Sequence, residues 1–140
     1  MQARLPSMTD DVMDGLVQTS FTVMALLSQV AAANDLSLTQ LRVLAILRDH
    51  EPKIAELAAH LGLERSSVSG LVDRSVKRGL VRREASVHDA RAVRLSLTAE
   101  GQRLAVELTA EVAGLLAPMT RKLGDSERKQ LGALLTRLVE

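Results

Sequence analysis

The sequence of 140 residues contains no cysteine and almost no aromatic residues. The absence of cysteine excludes disulfides and a thiol redox switch. Aromatic residues make up 1% of the chain, with Phe21 as the one example, so the core must consist of Leu, Val, Ala and Met. Three prolines and eight glycines are few for this length, and the abundant Ala and Leu favour helix. These features predict a mainly helical fold.

The chain also lacks a run of 18 consecutive apolar residues, so we expect no transmembrane helix. The first eleven residues, MQARLPSMTDD, do not show the charged and then apolar pattern of a secretory signal. Hydrophobic residues make up 46% of the sequence, which is enough for a core in a chain that fits one domain. We therefore expect a soluble cytoplasmic protein.

Sequence signatures of catalytic and metal sites are missing as well. The three histidines have no metal-ligand spacing such as H-x₃-H, and there is no G-x-S-x-G turn or glycine-rich phosphate loop. The one cluster that suggests a metal, His50 between Asp49 and Glu51, is more simply explained as a helix end that meets solvent. We expect no enzymatic activity, no metal and no cofactor.

Charge is unevenly distributed, although the net charge is only +1. Between Glu64 and Arg94, eight basic and four acidic residues give a net charge of +4, which leaves −3 for the remainder of the chain. A local basic patch on a nearly neutral protein is typical of polyanion binding. Because the excess is modest, a solvated surface of mixed charges is an alternative explanation of the charge alone.

The apolar pattern predicts six helices and two strands in the order α-α-α-α-β-β-α-α. Apolar residues seven positions apart indicate a long first helix from Thr9 to about Ala33. Ser37 and Gln40 match a capping box for the second helix, which ends near His50. The remaining elements are expected as helices at 54–61 and 65–78, strands at 80–84 and 93–97, and helices at 98–119 and from 125 onwards.

Residues 54–78 predict a helix-turn-helix, a common device for holding a helix in the major groove of DNA. The positions that let the two helices pack and turn are apolar or small: Leu57, Ala58, Leu61, Gly62, Leu63, Val68 and Leu71. On this packing the second helix presents candidate DNA-binding residues: Arg65, Ser66, Ser67, Ser69, Gly70 and Arg74. Serine hydroxyls bond to phosphates or bases, and Arg contacts guanine through two hydrogen bonds. The alternative is a generic pair of amphipathic helices with solvating serines.

The hairpin after this helix is basic, and Asp89 and Arg91 lie near its tip. An Arg at a hairpin tip can enter a narrow minor groove, where negative potential is concentrated. Asp89 could hold such an Arg through a charge-assisted hydrogen bond, or could simply cap its own turn. From this segment we select Arg83, Asp89 and Arg91 as candidate DNA-binding residues.

The first helix and the last two helices carry apolar stripes too long to be buried on so small a centre. Pairing with a second chain would cover these stripes, whereas the alternative is that the helices fold back on their own chain. We therefore predict a dimerisation helix at residues 1–35, a DNA-binding lobe at 36–98 and dimerisation helices at 99–140, all within one compact domain.

The order of these segments resembles the winged-helix regulators of the MarR (multiple antibiotic resistance) family over nearly the whole chain. The resemblance is carried by Leu71-Val72-Asp73-Arg74, Arg78-Gly79-Leu80-Val81 with Arg83, Asp89-Ala90-Arg91, and Leu97-Thr98-Ala99-Glu100-Gly101. It implies a winged helix-turn-helix whose N- and C-terminal helices form a dimerisation bundle, with Arg91 reaching the minor groove. Gly70 departs from many relatives, which carry a larger polar side chain there, so we expect sparse direct base reading.

The resemblance also implies a function. We predict a sequence-specific double-stranded DNA-binding transcription regulator, a homodimeric repressor of a pseudo-palindromic operator that a small, often phenolic or anionic, effector releases. A helical dimer that binds proteins and never binds DNA is the alternative. The candidate effector pocket is an apolar set that is equally typical of a plain core: Leu16, Ser20, Met24, Leu44, Leu104 and Leu108.

Overall fold

A computed structural model of the chain describes residues 11–85 and 93–140. Within these residues it contains six helices and one two-stranded sheet, in the predicted order. The helices are α1 (Asp11–Ala33), α2 (Leu38–Asp49), α3 (Ile54–Leu61), α4 (Arg65–Lys77), α5 (Ala99–Thr120) and α6 (Asp125–Val139), and the strands are β1 (Val81–Ala85) and β2 (Val93–Leu97). The prediction of a mainly helical chain with a helix-turn-helix and a hairpin is confirmed.

Two helices begin at side-chain caps. Ser37 Oγ accepts a hydrogen bond from the Gln40 N–H at 3.1 Å, and Gln40 Oε1 accepts one from the Ser37 N–H at 2.8 Å. The predicted capping box of α2 is therefore confirmed. Thr98 Oγ1 accepts a hydrogen bond from the Gly101 N–H at 3.0 Å and caps α5 in the same way. Each cap satisfies amide groups that the first turn of a helix leaves without partners.

Three helices end at a residue in the left-handed region, which lets the chain reverse direction. Gly62 follows α3 with φ +68°, and Gly79 follows α4 with φ +75°. Glycine adopts this conformation without the steric cost of a Cβ, so both turns follow from the sequence. The turn after α1 contains Asp35 with φ +55°, the one described non-glycine residue in this region. A short polar side chain tolerates the conformation better than most.

β1 and β2 pair antiparallel, with the first residue of β1 opposite the last residue of β2. The first strand begins one residue later than predicted, because the Leu80 N–H donates to the Ser75 carbonyl at 3.0 Å in the turn that ends α4. The other edge of β2 is also occupied, since the Leu95 N–H donates to the Pro52 carbonyl at 2.9 Å. The hairpin is therefore joined to the end of α4 on one side and to the segment between α2 and α3 on the other.

The core is aliphatic, as the composition requires, and draws on α1 to α5 and both strands. The largest fully buried side chains are Val43, Leu44, Leu57, Val68, Val72, Val81 and Leu95. Of the predicted helix-turn-helix contacts, Leu57, Ala58, Val68 and Leu71 are buried. Leu63 was wrongly predicted to pack there, because it is 41% exposed. It follows the left-handed turn, where its N–H bonds to the Ala58 carbonyl while its side chain faces solvent.

Two apolar helix faces stay exposed on this chain. No residue of α6 is buried, and the N-terminal half of α1 exposes large apolar side chains that include Phe21 at 68%. By length and composition alone α1 is long and apolar enough to cross a membrane, since an 18-residue window has a mean hydropathy of 1.4. Only 11% of that window is buried, although Val30 and Ala31 at the end of α1 belong to the core.

Candidate nucleic-acid interface

The inner side of α4 packs on the core and its outer side carries the predicted DNA-binding residues. Val68 and Val72 are completely buried and Leu71 is nearly so. The candidates on the outer side are exposed at Arg65, Ser66, Ser67 and Arg74 and half-buried at Ser69 and Gly70. Five of these six residues share one face through i, i+4 spacing, and the sixth lies in the first turn. The structure thus brings the α4 candidates to one helix surface.

No side chain of the described residues caps the first turn of α4. Glu64 occupies the N-cap position, and its side chain makes no capping hydrogen bond. The first amides of the helix therefore lack a side-chain cap, and a helix N-terminus of this kind attracts phosphate. Among the described residues, neither Arg65 nor Arg74 forms an ion pair. Both guanidinium groups are available to a polyanion.

Gly70 has a local role beside Arg74. A Cβ at position 70 would lie 3.7 Å from Arg74 Nη1, so the guanidinium rests against the surface that the glycine leaves bare. At this distance a Cβ would make an ordinary van der Waals contact, so the position has room for a small side chain beside Arg74. The sequence predicted Gly70 as a candidate DNA-binding residue and as a departure from its relatives, and it gave no sign of the contact with Arg74.

The predicted wing residue Arg83 lies on β1 and pairs with Asp73 of α4. Its guanidinium therefore connects the hairpin to the outer side of the helix-turn-helix. Asp73 was not among the predicted site residues, and its position one turn before Lys77 gave no sign of a partner ten residues away. Asp89 and Arg91 lie outside the described residues.

Two further arginines fasten the base of the hairpin. Arg82 Nε lies 3.2 Å from Ser96 Oγ across the sheet and 2.8 Å from Glu84 Oε1. Arg94 Nη1 donates to the Glu51 carbonyl at 2.9 Å. Basic residues at the base of the hairpin are thus engaged within the chain, whereas Arg65 and Arg74 on α4 form no ion pair with a described residue.

A cavity of about 200 Å³ lies between α1, α2 and α5. Its lining residues are Leu27, Leu41, Leu44, Ala45, Arg48, Ala105, Leu108, Thr109 and Val112. Of the predicted effector-pocket residues, the structure places Leu44 and Leu108 in this cavity, and Leu104 is half-buried on α5 without lining it. Leu16, Ser20 and Met24 are exposed on α1, and Leu16 lies in a separate groove beside α6. α1 is so long that only its C-terminal end reaches the cavity.

Two of the residues that line this cavity, Arg48 and Thr109, are polar. Arg48 Nη1 donates to Thr109 Oγ1 at 2.9 Å, and Arg48 Nη2 lies 2.9 Å from Asp49 Oδ2. The hydrogen bond from Arg48 lowers the pKa of the Asp49 carboxyl, and the same bond raises the pKa of the Arg48 guanidinium. Arg48 is the one cationic residue among those that line this largely aliphatic cavity. Among the described residues, no cluster of three or more His, Cys, Asp or Glu side chains is arranged to hold a metal ion.

A helix-turn-helix with an exposed second helix, followed by a two-stranded hairpin, defines a winged helix-turn-helix DNA-binding protein. Residues 34–92 match the MarR family. The HTH-type transcriptional regulator YhbI of Bacillus subtilis (strain 168) is 32% identical over 109 residues, which cover 74% of this chain and 71% of YhbI. The chain belongs to the MarR family of DNA-binding transcription regulators.

Two other relatives from Bacillus subtilis (strain 168) match over shorter parts of their length. The HTH-type transcriptional regulator YfiV is 35% identical over 71 residues, which cover 50% of this chain and 44% of YfiV. The HTH-type transcriptional repressor MdtR is 30% identical over 102 residues, which cover 72% of this chain and 66% of MdtR. The chain thus spans less than half of YfiV and just under two thirds of MdtR.

Solved structures show the same fold over nearly the whole chain. The crystal structure of NadR in complex with 4-hydroxyphenylacetate has a TM-score of 0.80 and 27% identity, and covers 99% of both chains. The structure of CouR from Rhodococcus jostii RHA1 bound to p-coumaroyl-CoA has a TM-score of 0.79 and 24% identity, and covers 96% of this chain and 95% of CouR. Because the match with NadR includes α1, the long apolar helix belongs to this winged-helix fold.

Proposed function

We propose that this protein is a non-catalytic, cytoplasmic repressor that binds a pseudo-palindromic operator as a homodimer. The observation that carries the proposal is the outer surface of α4, where Arg65 and Arg74 form no ion pair with a described residue and the first turn has no side-chain cap. Family membership supplies the DNA-binding class, and the repressor MdtR supports repression. The three predicted segments, 1–35, 36–98 and 99–140, are the proposed functional divisions.

In the proposed complex, α4 enters the major groove. Arg65 and Arg74 contact base edges or phosphates, while Ser66, Ser67 and Ser69 bond to groups along the groove wall. The hairpin tip places Arg91 in the adjacent minor groove, with Asp89 as its partner. Arg83 acts through its ion pair with Asp73, which sets the position of the hairpin relative to α4. Gly70 brings the helix backbone close to the DNA.

Selection of duplexes from fragments of the source genome tests this proposal. We expect the enriched fragments to share an inverted repeat with half-sites about 10 base pairs apart, because a two-fold dimer presents two recognition helices. Mobility shifts with the enriched duplex should weaken steeply as salt rises, since phosphate contacts release counterions. A chain that binds no duplex at low salt would instead favour the alternative of a helical protein-interaction module.

The α1–α2–α5 cavity is the proposed effector site. Its aliphatic walls and the Arg48 guanidinium favour a small apolar carboxylate, whose anion would pair with Arg48 in place of Thr109 or Asp49. NadR and CouR were solved with 4-hydroxyphenylacetate and p-coumaroyl-CoA respectively, which supports ligand binding in this fold. In this chain no aromatic side chain lines the cavity, so an aliphatic ligand fits its walls best.

A matched pair of ligands tests the effector site. We expect hexanoate, but not the neutral hexanamide, to raise the melting temperature and to release the selected duplex in mobility shifts. Arg48→Gln should abolish the response to hexanoate, whereas Arg103→Gln, which removes an exposed arginine of α5 outside the cavity, should leave it intact. An equal response to acid and amide would exclude Arg48 as the anion partner, and no response to either would exclude this ligand class.

A further inference from the structure

Arg78, at the C-terminus of α4, makes two hydrogen bonds to the turn between α1 and α2. Its Nη1 donates to the Asp35 carbonyl at 2.8 Å, and its Nη2 donates to the Asn34 carbonyl at 3.3 Å. We call residues Asn34 to Leu36 the corner. Arg78 therefore links the recognition helix directly to the end of α1, 43 positions away in the sequence.

The carbonyls of Asn34 and Asp35 can accept from Arg78 because of the way in which α1 ends. The N–H of Leu36 donates to the Ala31 carbonyl at 2.9 Å, and the N–H of Asp35 donates to the Ala32 carbonyl at 3.3 Å. This pattern, with Asp35 in the left-handed region, is a Schellman motif. It satisfies the last carbonyls of the helix and leaves those of Asn34 and Asp35 to accept from Arg78.

The corner is held from the other side by α5. Asn34 Nδ2 donates to the Val30 carbonyl at 2.8 Å and lies 3.4 Å from Glu111 Oε2. A continuous set of polar contacts thus runs from α5 through the corner to Arg78 and α4. α1 and α5 belong to the proposed dimerisation bundle, so these contacts join the recognition helix to the helices that set the position of the second subunit.

The position of Arg78 separates it from the proposed DNA surface. α4 has 13 residues, so its C-terminal end lies about 20 Å from the first turn that meets the DNA. Two donors of the Arg78 guanidinium are engaged with the corner, in contrast to Arg65 and Arg74, which have no ion pair with a described residue.

We propose that Arg78 is a positioning residue that fixes α4 to the α1–α2 corner and thereby sets the separation of the two recognition helices, without contacting DNA itself. The inference rests on the proposed function as a dimer that reads two half-sites. It makes Arg78 a determinant of which half-site spacing the protein accepts.

The DNA test uses the selected operator and versions with one or two base pairs inserted between the half-sites. We expect Arg78→Gln to weaken binding at the native spacing about fivefold, the equivalent of one ordinary hydrogen bond, and to reduce discrimination against the inserted versions. The salt slope, which is the slope of log affinity against log salt concentration, should have the wild-type value in Arg78→Gln. Arg78→Lys can still donate to one carbonyl and should restore part of the discrimination. Lys77→Gln, with the same loss of charge, should leave the discrimination unchanged.

A salt slope reduced by about one unit, with spacing discrimination intact, would mean that Arg78 contacts a phosphate and would overturn the proposal. Amide hydrogen exchange without DNA provides an independent measurement. Arg78→Gln should accelerate exchange at Asp35 and Leu36, and Lys77→Gln should not. Unchanged exchange would also overturn the proposal. If the wild-type chain binds no operator, the proposed function fails, and the exchange data still decide whether Arg78 holds the corner.

Discussion

Gly101 shows how closely α5 approaches the turn between α4 and β1. A Cβ at this position would lie 2.0 Å from the Leu80 carbonyl oxygen, which already accepts the Thr98 N–H at 3.0 Å. A methyl group cannot fit without moving the backbone of that turn. We expect Gly101→Ala to lower the free energy of unfolding by about 2 kcal/mol or more, as overpacking does in a dense core. Urea denaturation measures the loss.

Gly114 provides the matched control within the same helix. Nothing lies within 4 Å of a Cβ built there. Gly114→Ala should therefore raise the free energy of unfolding by up to about 1 kcal/mol, because alanine has a better helix propensity than glycine. Opposite signs for the two substitutions would confirm the close approach at Gly101. Equal effects would show that helix propensity alone governs both positions.

Substitution of Ser69 on α4 tests whether this surface contacts bases or phosphates. It is half-buried near the middle of the outer face, between the exposed Arg65 and Arg74. We expect Ser69→Ala to weaken binding to the selected operator about fivefold, the worth of one hydrogen bond, and to leave binding to random duplex unchanged. Parallel titrations of both duplexes measure the effect, with Ser126→Ala on α6 as the control. An equal loss on both duplexes would indicate a phosphate contact.

The hairpin of β1 and β2 is the wing of this fold. In the proposed complex it contacts DNA through Arg91 at its tip. β1 is tied to α4 through Arg83 and Asp73, so the hairpin is held in a fixed direction from the recognition helix. We expect Arg91→Ala to weaken binding to every duplex and to reduce the salt slope by about one unit, as the loss of one phosphate-proximal charge does. Affinity measured at several salt concentrations gives the slope.

The control for the wing is an arginine far from the proposed DNA surface. Arg103 on α5 pairs with Glu100 and lies 3.7 Å from Glu107, and the hydrogen bond to Glu100 raises its pKa. Arg103→Ala removes one charge and should leave the salt slope unchanged. A wild-type slope for Arg91→Ala would show that the wing does not contact DNA.

The sequence predicted the features of these elements that depend on neighbouring residues. The capping box at Ser37, the turn at Gly62 and the second strand are encoded within a few positions, and all three are confirmed. Features that depend on distant contacts were missed. The exposure of Leu63 was missed for a different reason, because a periodic pattern cannot show which way a side chain faces after a turn.

In the candidate site, too, the features set by neighbouring residues were predicted and those set by distant contacts were missed. The outer face of α4 follows from helical spacing and was predicted residue by residue. The cavity was predicted only at Leu44 and Leu108, because its other walls depend on where α1, α2 and α5 cross. The link between Arg78 and Asp35 joins residues that no local pattern relates, and it depends on a left-handed non-glycine residue.

For the whole molecule, the exposed apolar residues are concentrated on α6 and the first half of α1. Burial of such faces is the largest favourable term in association, and a second copy of the chain offers the same faces by symmetry. The polar contacts through Arg78 join the turn after α1 to the end of α4, and the cavity lies between α1, α2 and α5. A dimer that fixes α1 and α5 would therefore fix the spacing of the two recognition helices.

This proposed dimer makes a prediction for α6. Leu134 is 48% exposed on the isolated chain, and Leu134→Asp would place a charge in the apolar contact between subunits, where burial of an unpaired carboxylate is unfavourable. We expect the variant to be monomeric by light scattering, with helical content unchanged in circular dichroism. Leu63→Asp introduces the same charge at similar exposure on the helix-turn-helix and should remain dimeric. A dimeric Leu134→Asp variant would show that α6 faces away from the interface, so that α1 and α5 alone would have to hold the two subunits.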